Sequence, residues 1–253
     1  MNAGHLSLLL VAGLAAGTVN AVAGGGSLIT FPALLGTGLS QIAANVTNSV
    51  SVAPGYLAST YGSRQDLPQR RTLLGLLPTA IIGAALGCAL LLLTPDKVFG
   101  FIVPFLVLLA AFVLAFQKRL RGVVGHPRDM TPPRRKLALH GLIGVGAVYG
   151  GYFGAALGVM LVAGLGLVLD ESLNRINAIK NVVSTVVGFS TVIAFAIFGP
   201  VDWADVAIVA PATIAGGYFG ARMARRLPAP LLRGIIVTVA FAVGIALLVK
   251  AFD

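Results

Sequence analysis

Two clusters of glycine and amide residues carry most of the chemistry open to this chain. Asn20-Ala-Val-Ala-Gly24-Gly25-Gly26-Ser27 breaks an apolar run with three glycines in succession. Glycine permits positive φ and close backbone approach, and a helix beginning near Ser27 would aim unpaired amide N–H groups into the interior, a geometry suited to an anion. The stretch Tyr149-Gly150-Gly151-Tyr152-Phe153-Gly154-Ala155-Ala156-Leu157-Gly158 echoes those glycines, with Gly154 and Gly158, but lacks the Asn and Ser. Close helix packing is the competing use of such glycines.

A second set of polar residues follows each cluster. Asn45 with Asn48, and Asn177 with Asn181 and Ser184, sit at helical spacings of three and four, so each set presents one donor-rich face. These faces serve either substrate contact or interhelical hydrogen bonding. Lys180 lies on the second face, a turn inside an apolar segment, where it either attracts an anion or snorkels outward beside Arg175. All eight acids fall in loops or at segment ends, so no carboxylate relay for protons is expected at depth. No Ser-His-Asp set, His-Glu-x-x-His motif or paired carboxylate can be assembled there either, which argues against an enzyme. The single cysteine, Cys88, excludes a disulfide framework and a cysteine-based metal site, and no cofactor is expected.

The elements that must hold these residues follow from composition. Of 253 residues, 57% are hydrophobic and only 10% charged, with a mean hydropathy of +0.95, whereas about a quarter of a soluble domain is charged. The net charge of +10 lies between apolar runs and not along a face with stacking aromatics, so nucleic acid is not the expected partner and the lipid bilayer is. No cleaved leader is expected.

The chain reads as one motif written twice. Shifting it by 133 positions superimposes six glycine pairs and two proline pairs, together with Asn48 on Asn181 and Ser51 on Ser184. Chance would give about 2 glycine pairs and about 0.3 proline pairs, so an internal duplication is favoured. Five apolar segments are expected in each half: 6–23, 27–39, 43–61, 73–93 and 98–116, then 137–150, 153–169, 177–198, 206–221 and 231–249. The fold expected is therefore an all-α polytopic membrane protein of two repeats, residues 1–117 and 137–253, joined by a basic cytoplasmic connector over 118–136. The first two segments of each repeat form a short or re-entrant hairpin, since about 12 residues span only ~18 Å of a ~30 Å hydrocarbon core.

Charge sets the orientation. With the connector inside and the sides alternating, 16 of 18 basic residues are cytoplasmic and both termini lie outside. Because each unit makes an odd number of crossings, the second repeat enters upside down, an arrangement typical of transporters.

Gly17-Thr-Val-Asn20-Ala-Val-Ala-Gly24-Gly25-Gly26-Ser27, Phe31-Pro32, Asn45-Val-Thr-Asn48 and Pro54-Gly55, with the echo at Tyr149 to Gly154, resemble the TauE/SafE-type sulfite exporter family over nearly the whole chain. The resemblance implies a bacterial inner-membrane permease for small anions, with sulfite and organosulfonates such as sulfoacetate among its substrates. It carries Asn20, Gly24, Gly25, Gly26, Ser27, Asn45 and Asn48 onto the first motif, and Gly154, Gly158, Asn177 and Asn181 onto a weaker second copy without the triple glycine. The expected function is alternating-access transport of a small anion, with a homodimer as an open possibility. An anion-selective channel and a membrane assembly subunit without transport of its own are the alternatives.

Overall fold

A backbone surrounded by lipid has to satisfy its own hydrogen bonds, so long apolar runs without water-facing sides fold as helices. The computed structural model describes residues 3–22, 25–123, 131–223 and 229–252. Among these residues the chain forms ten α-helices, one 3-10 turn at Arg64–Asp66 and no strand. The first half contains α1 (Ala3–Val22), α2 (Ser27–Gly36), α3 (Gln41–Gly62), α4 (Arg70–Leu93) and α5 (Asp96–Val123). The second contains α6 (Pro132–Tyr152), α7 (Leu157–Val168), α8 (Leu173–Phe198), α9 (Trp203–Met223) and α10 (Ala229–Phe252). Stretches within α1, α4, α5 and α8 are long and apolar enough to cross a membrane. Large apolar side chains such as Leu14, Ile82, Phe101, Val145 and Ile197 stand exposed around the outside, as a lipid-facing surface requires.

Each expected segment coincides with a helix, and the differences lie at their ends. The connector expected over 118–136 is shorter: α5 runs on to Val123 and α6 starts at Pro132, while 124–130 lie outside the described residues. Lys118 to Arg121 are good helix formers that let α5 continue, and prolines are tolerated in a helix's first turn. The segment expected from Phe153 starts instead at Leu157. Gly154 at φ +72° and Ala156 at φ +59° are left-handed, so the backbone turns there before helix resumes. At 10 and 12 residues, α2 and α7 are too short to span ~30 Å, as expected of hairpins.

The helix pairings repeat when the halves are exchanged. Helix α1 packs on α9 as α6 packs on α4, α3 on α9 as α8 on α4, and α2 on α10 as α7 on α5, while α3 pairs with α8 and α5 with α10. Glycines make the tightest of these contacts possible. A Cβ on Gly17 would sit 2.2 Å from the Thr213 carbonyl oxygen, and one on Gly87 would sit 2.1 Å from that of Val148. Gly83 meets Ala147, and its counterpart Gly216 meets Leu14, the counterpart of Ala147.

Polar caps fix where several helices begin. Ser40 Oγ accepts from Ala43 N at the start of α3, and Ser172 Oγ accepts from Arg175 N at the start of α8, each at 3.3 Å. Asp202 Oδ1 accepts from the amides of Ala204 and Asp205, each at 3.0 Å, at the start of α9. Asp202→Ala is expected to cost about 1 kcal/mol of stability. Thermal unfolding in detergent should register this as a midpoint lowered by about 2–4 °C.

Candidate functional site

Helices α1 and α6 both stop inside the bundle, and the polar residues gather at these two breaks. At the first, the chain turns through Gly25 at φ +93°, and Asn20 Oδ1 accepts the Gly26 amide at 2.8 Å. That amide is therefore occupied by the protein itself. A Cβ on Gly26 would lie 2.2 Å from the Ala16 carbonyl oxygen, so this glycine is required for the chain to pass α1 closely. Gly24 lies outside the described residues.

Lys180 closes the same break from the opposite half. Its side chain is only 2% exposed, and Nζ donates to the Asn20 carbonyl oxygen at 3.2 Å. It does not snorkel, because the last described turn of α1 stands over it and offers the Asn20 carbonyl. Burying an ammonium without a carboxylate is costly, so the negative end of the α1 dipole and the one carbonyl bond are its compensation. Asn20 Nδ2 and Ser184 Oγ are buried with no protein partner, and Ser184 lies one turn from Lys180 on the same helix face. Lys180 thus meets Asn20 at this break, and Ser184, one turn along α8, lines the cavity, with the Asn20 and Ser184 donors both unused.

The second break is built differently. Asn45 Nδ2 donates to the Tyr152 carbonyl oxygen at 2.9 Å, capping α6 as Lys180 caps α1, but without charge. Asn48 Oδ1 accepts from the Thr30 hydroxyl, tying α3 to α2. Phe153 is wedged at the turn edge-on against Phe31, with ring centroids 5.4 Å apart. Asn181 Nδ2 donates to Ser63 Oγ at 3.0 Å and the Ser59 carbonyl oxygen at 3.3 Å, joining α8 to the end of α3. Asn45 Oδ1 and Asn181 Oδ1 have no partner.

Between the breaks, where α3 faces α8, lies a cavity of about 20 Å³. Ser27, Ser49 and Tyr56 from the first half line it together with Gly154, Ser184 and Thr191 from the second. It has room for about one water molecule.

Of the residues marked in the sequence, Asn20, Ser27, Lys180 and Ser184 gather around the first break and the cavity, and Gly154 joins them from the second. Gly158 is buried within α7, and Asn177 is half-buried near the start of α8 without lining the cavity. Sequence reasoning missed Thr30, Tyr56 and Phe153 as site residues. Tyr56 was open to discovery by helical phase, because Asn45, Asn48, Ser49, Val52 and Tyr56 share one face of α3. His140, away from this region, shares a 2.8 Å hydrogen bond with the Thr79 hydroxyl.

Residues 9–247 match the family model described as Sulfite exporter TauE/SafE. A "Probable membrane transporter protein ORF9" from Sinorhizobium sp is 30% identical, over 96% of this chain and 92% of its own. A "Probable membrane transporter protein" from Haemophilus influenzae is 28% identical over 93% and 91%. "Probable membrane transporter protein YfcA" from Escherichia coli K12 is 26% identical over 88% and 80%. No solved structure matches the chain significantly.

Proposed function

The chain belongs to the sulfite exporter TauE/SafE family of membrane transporters, and from that premise we propose that it carries a small oxyanion, sulfite or an organosulfonate, by alternating access between two inverted repeats. The observation that carries this reading is Lys180: a buried ammonium with one carbonyl partner, beside the unpartnered donors of Asn20 and Ser184. An ammonium and neutral N–H and O–H groups match the acceptor-only rim of a sulfonyl or sulfite oxygen set. The single fixed charge draws the anion in, and the neutral donors orient it while leaving release fast.

The exchange symmetry of the helix pairings supports a twofold relation between the halves, and an odd number of crossings per half puts that axis in the membrane plane. In this orientation both termini lie outside the bacterial inner membrane, and Arg64, Arg70 and Arg175 face the cytoplasm. The two ends of the α3–α8 interface are then closed by different ties. On the outer side Thr37 Oγ1 donates to Asp205 Oδ2 at 3.2 Å, and Asp202 N donates to Thr47 Oγ1 at 3.0 Å. On the inner side Asn181 holds Ser63, and the Thr60 and Thr185 hydroxyls share a 2.8 Å bond. Every one of these ties joins one half to the other, so releasing one set and keeping the other opens the site to one side. A cavity of about 20 Å³ has to widen before an oxyanion enters, which favours a carrier over an open pore.

Counterflow in liposomes containing the purified chain tests the reading. Labelled sulfite or sulfoacetate is expected to accumulate transiently against an internal pool of the same anion, and a neutral isostere is not. No counterflow with any oxyanion would overturn the proposal. Single-channel conductance in planar bilayers would replace it with a channel.

A further inference from the structure

A helix that ends inside a bilayer leaves the carbonyls of its last turn without partners and brings the negative end of its dipole there. Carriers driven by a cation gradient use such ends to coordinate the driving cation. In this chain the two broken ends are already held by side chains from other helices. Lys180 Nζ takes the Asn20 carbonyl oxygen in the last turn of α1 at 3.2 Å, and Asn45 Nδ2 takes the Tyr152 carbonyl oxygen at the end of α6 at 2.9 Å. Each donor comes from the opposite half and is buried. Among the described residues the one buried carboxylate is Asp205, at the start of α9 and bonded to Thr37, and no three His, Cys, Asp or Glu side chains cluster as a metal site.

We propose that the Lys180 ammonium is a resident cation standing where a coupling ion would otherwise bind at the broken end of α1, so that the chain moves its anion as a sodium-independent, electrogenic uniporter. This rests on the anion-carrier reading above. The positive charge stays with the protein, so each transported anion takes its full charge through the membrane field. An inside-negative potential then drives the anion outward, and the carrier acts as an exporter without any ion gradient beyond that potential. The asymmetry of the two breaks follows as well: one positive charge suffices to offset an anion, and the second break, capped by the neutral Asn45, adds none.

Liposomes containing the purified full chain and labelled sulfite separate the two claims. Counterflow, with no net gradient, reads carrier competence alone. Net efflux under valinomycin-set potassium diffusion potentials of either sign, at equal pH and in sodium or N-methylglucamine medium, reads coupling. Efflux is expected to accelerate with an inside-negative potential, slow with an inside-positive one, and stay unchanged when sodium is removed. Lys180→Gln is expected to lower efflux at least about tenfold, and Lys180→Arg, which keeps the charge, to retain part of it. Efflux that requires sodium or a proton gradient, or that ignores the sign of the potential, overturns the resident cation while leaving an intact counterflow and the anion reading in place. Absence of counterflow overturns both. Should Lys180→Gln fail to fold, the measurements on the unaltered chain decide by themselves.

Discussion

Lys180→Met is expected to reduce sulfite counterflow at least about 30-fold, the largest effect of any single side chain in the bundle. Truncating one partner of a buried charge interaction costs about 2–5 kcal/mol, and each 1.4 kcal/mol is a factor of ten. Methionine has a similar length and fills the same space, so the packing between α8 and the tip of α1 is largely kept. What it loses is the ammonium and the bond to the Asn20 carbonyl oxygen. Gel filtration establishes that the variant is folded, and counterflow in liposomes then gives the rate. An unchanged rate would remove Lys180 from the anion site and leave it a purely structural cap.

Gly17→Val and Gly87→Val are each expected to destabilise the bundle by about 1–3 kcal/mol or more, since overpacking here meets backbone that cannot yield as a side chain would. The added Cβ of the first would lie 2.2 Å from the Thr213 carbonyl oxygen and 2.7 Å from Gly217 N. That of the second would lie 2.1 Å from the Val148 carbonyl oxygen and 2.8 Å from Tyr152 N. Both changes force a helix pair apart, α1 from α9 and α4 from α6 respectively. Gly75 and Gly141 are the contrast, because a Cβ at either has nothing within 4 Å. Alanine there is expected to be neutral or to stabilise by up to about 1 kcal/mol through helix propensity. Thermal unfolding in detergent separates the pairs, and equal midpoints for Gly17→Val and Gly75→Ala would refute the close-packing account.

Much of the fold was legible because lipid imposes it. The match of α4 (70–93) to the run 73–93 reflects a length and polarity requirement that acts on each spanning segment independently. Helix ends were less legible: α5 continues into the basic stretch because Lys and Arg propagate a helix as readily as Leu does, so the polarity change at Gln117 marks no structural boundary. The start of α7 depended on Ala156 adopting φ +59°, a conformation that an alanine's identity does not announce.

At the candidate site, helical phase placed Asn177, Lys180, Asn181 and Ser184 on one face, yet it did not say what stands opposite. Asn181 proves to be engaged with Ser59 and Ser63, Lys180 with Asn20, and Asn177 with neither. Likewise the Gly26 amide, which the glycine cluster offered to an anion, is satisfied by Asn20 six residues earlier.

The amino-acid sequence by itself determined a polytopic helical membrane protein, the short helices after each break and the family, because hydropathy, glycine spacing and motif residues are properties of the chain read in one dimension. Only the tertiary structure decided which break receives the charge, which polar atoms remain unpartnered and where the halves leave a cavity. Those outcomes depend on which helix from one half lies against which tip of the other, and spacing along a helix fixes a face without fixing its partner.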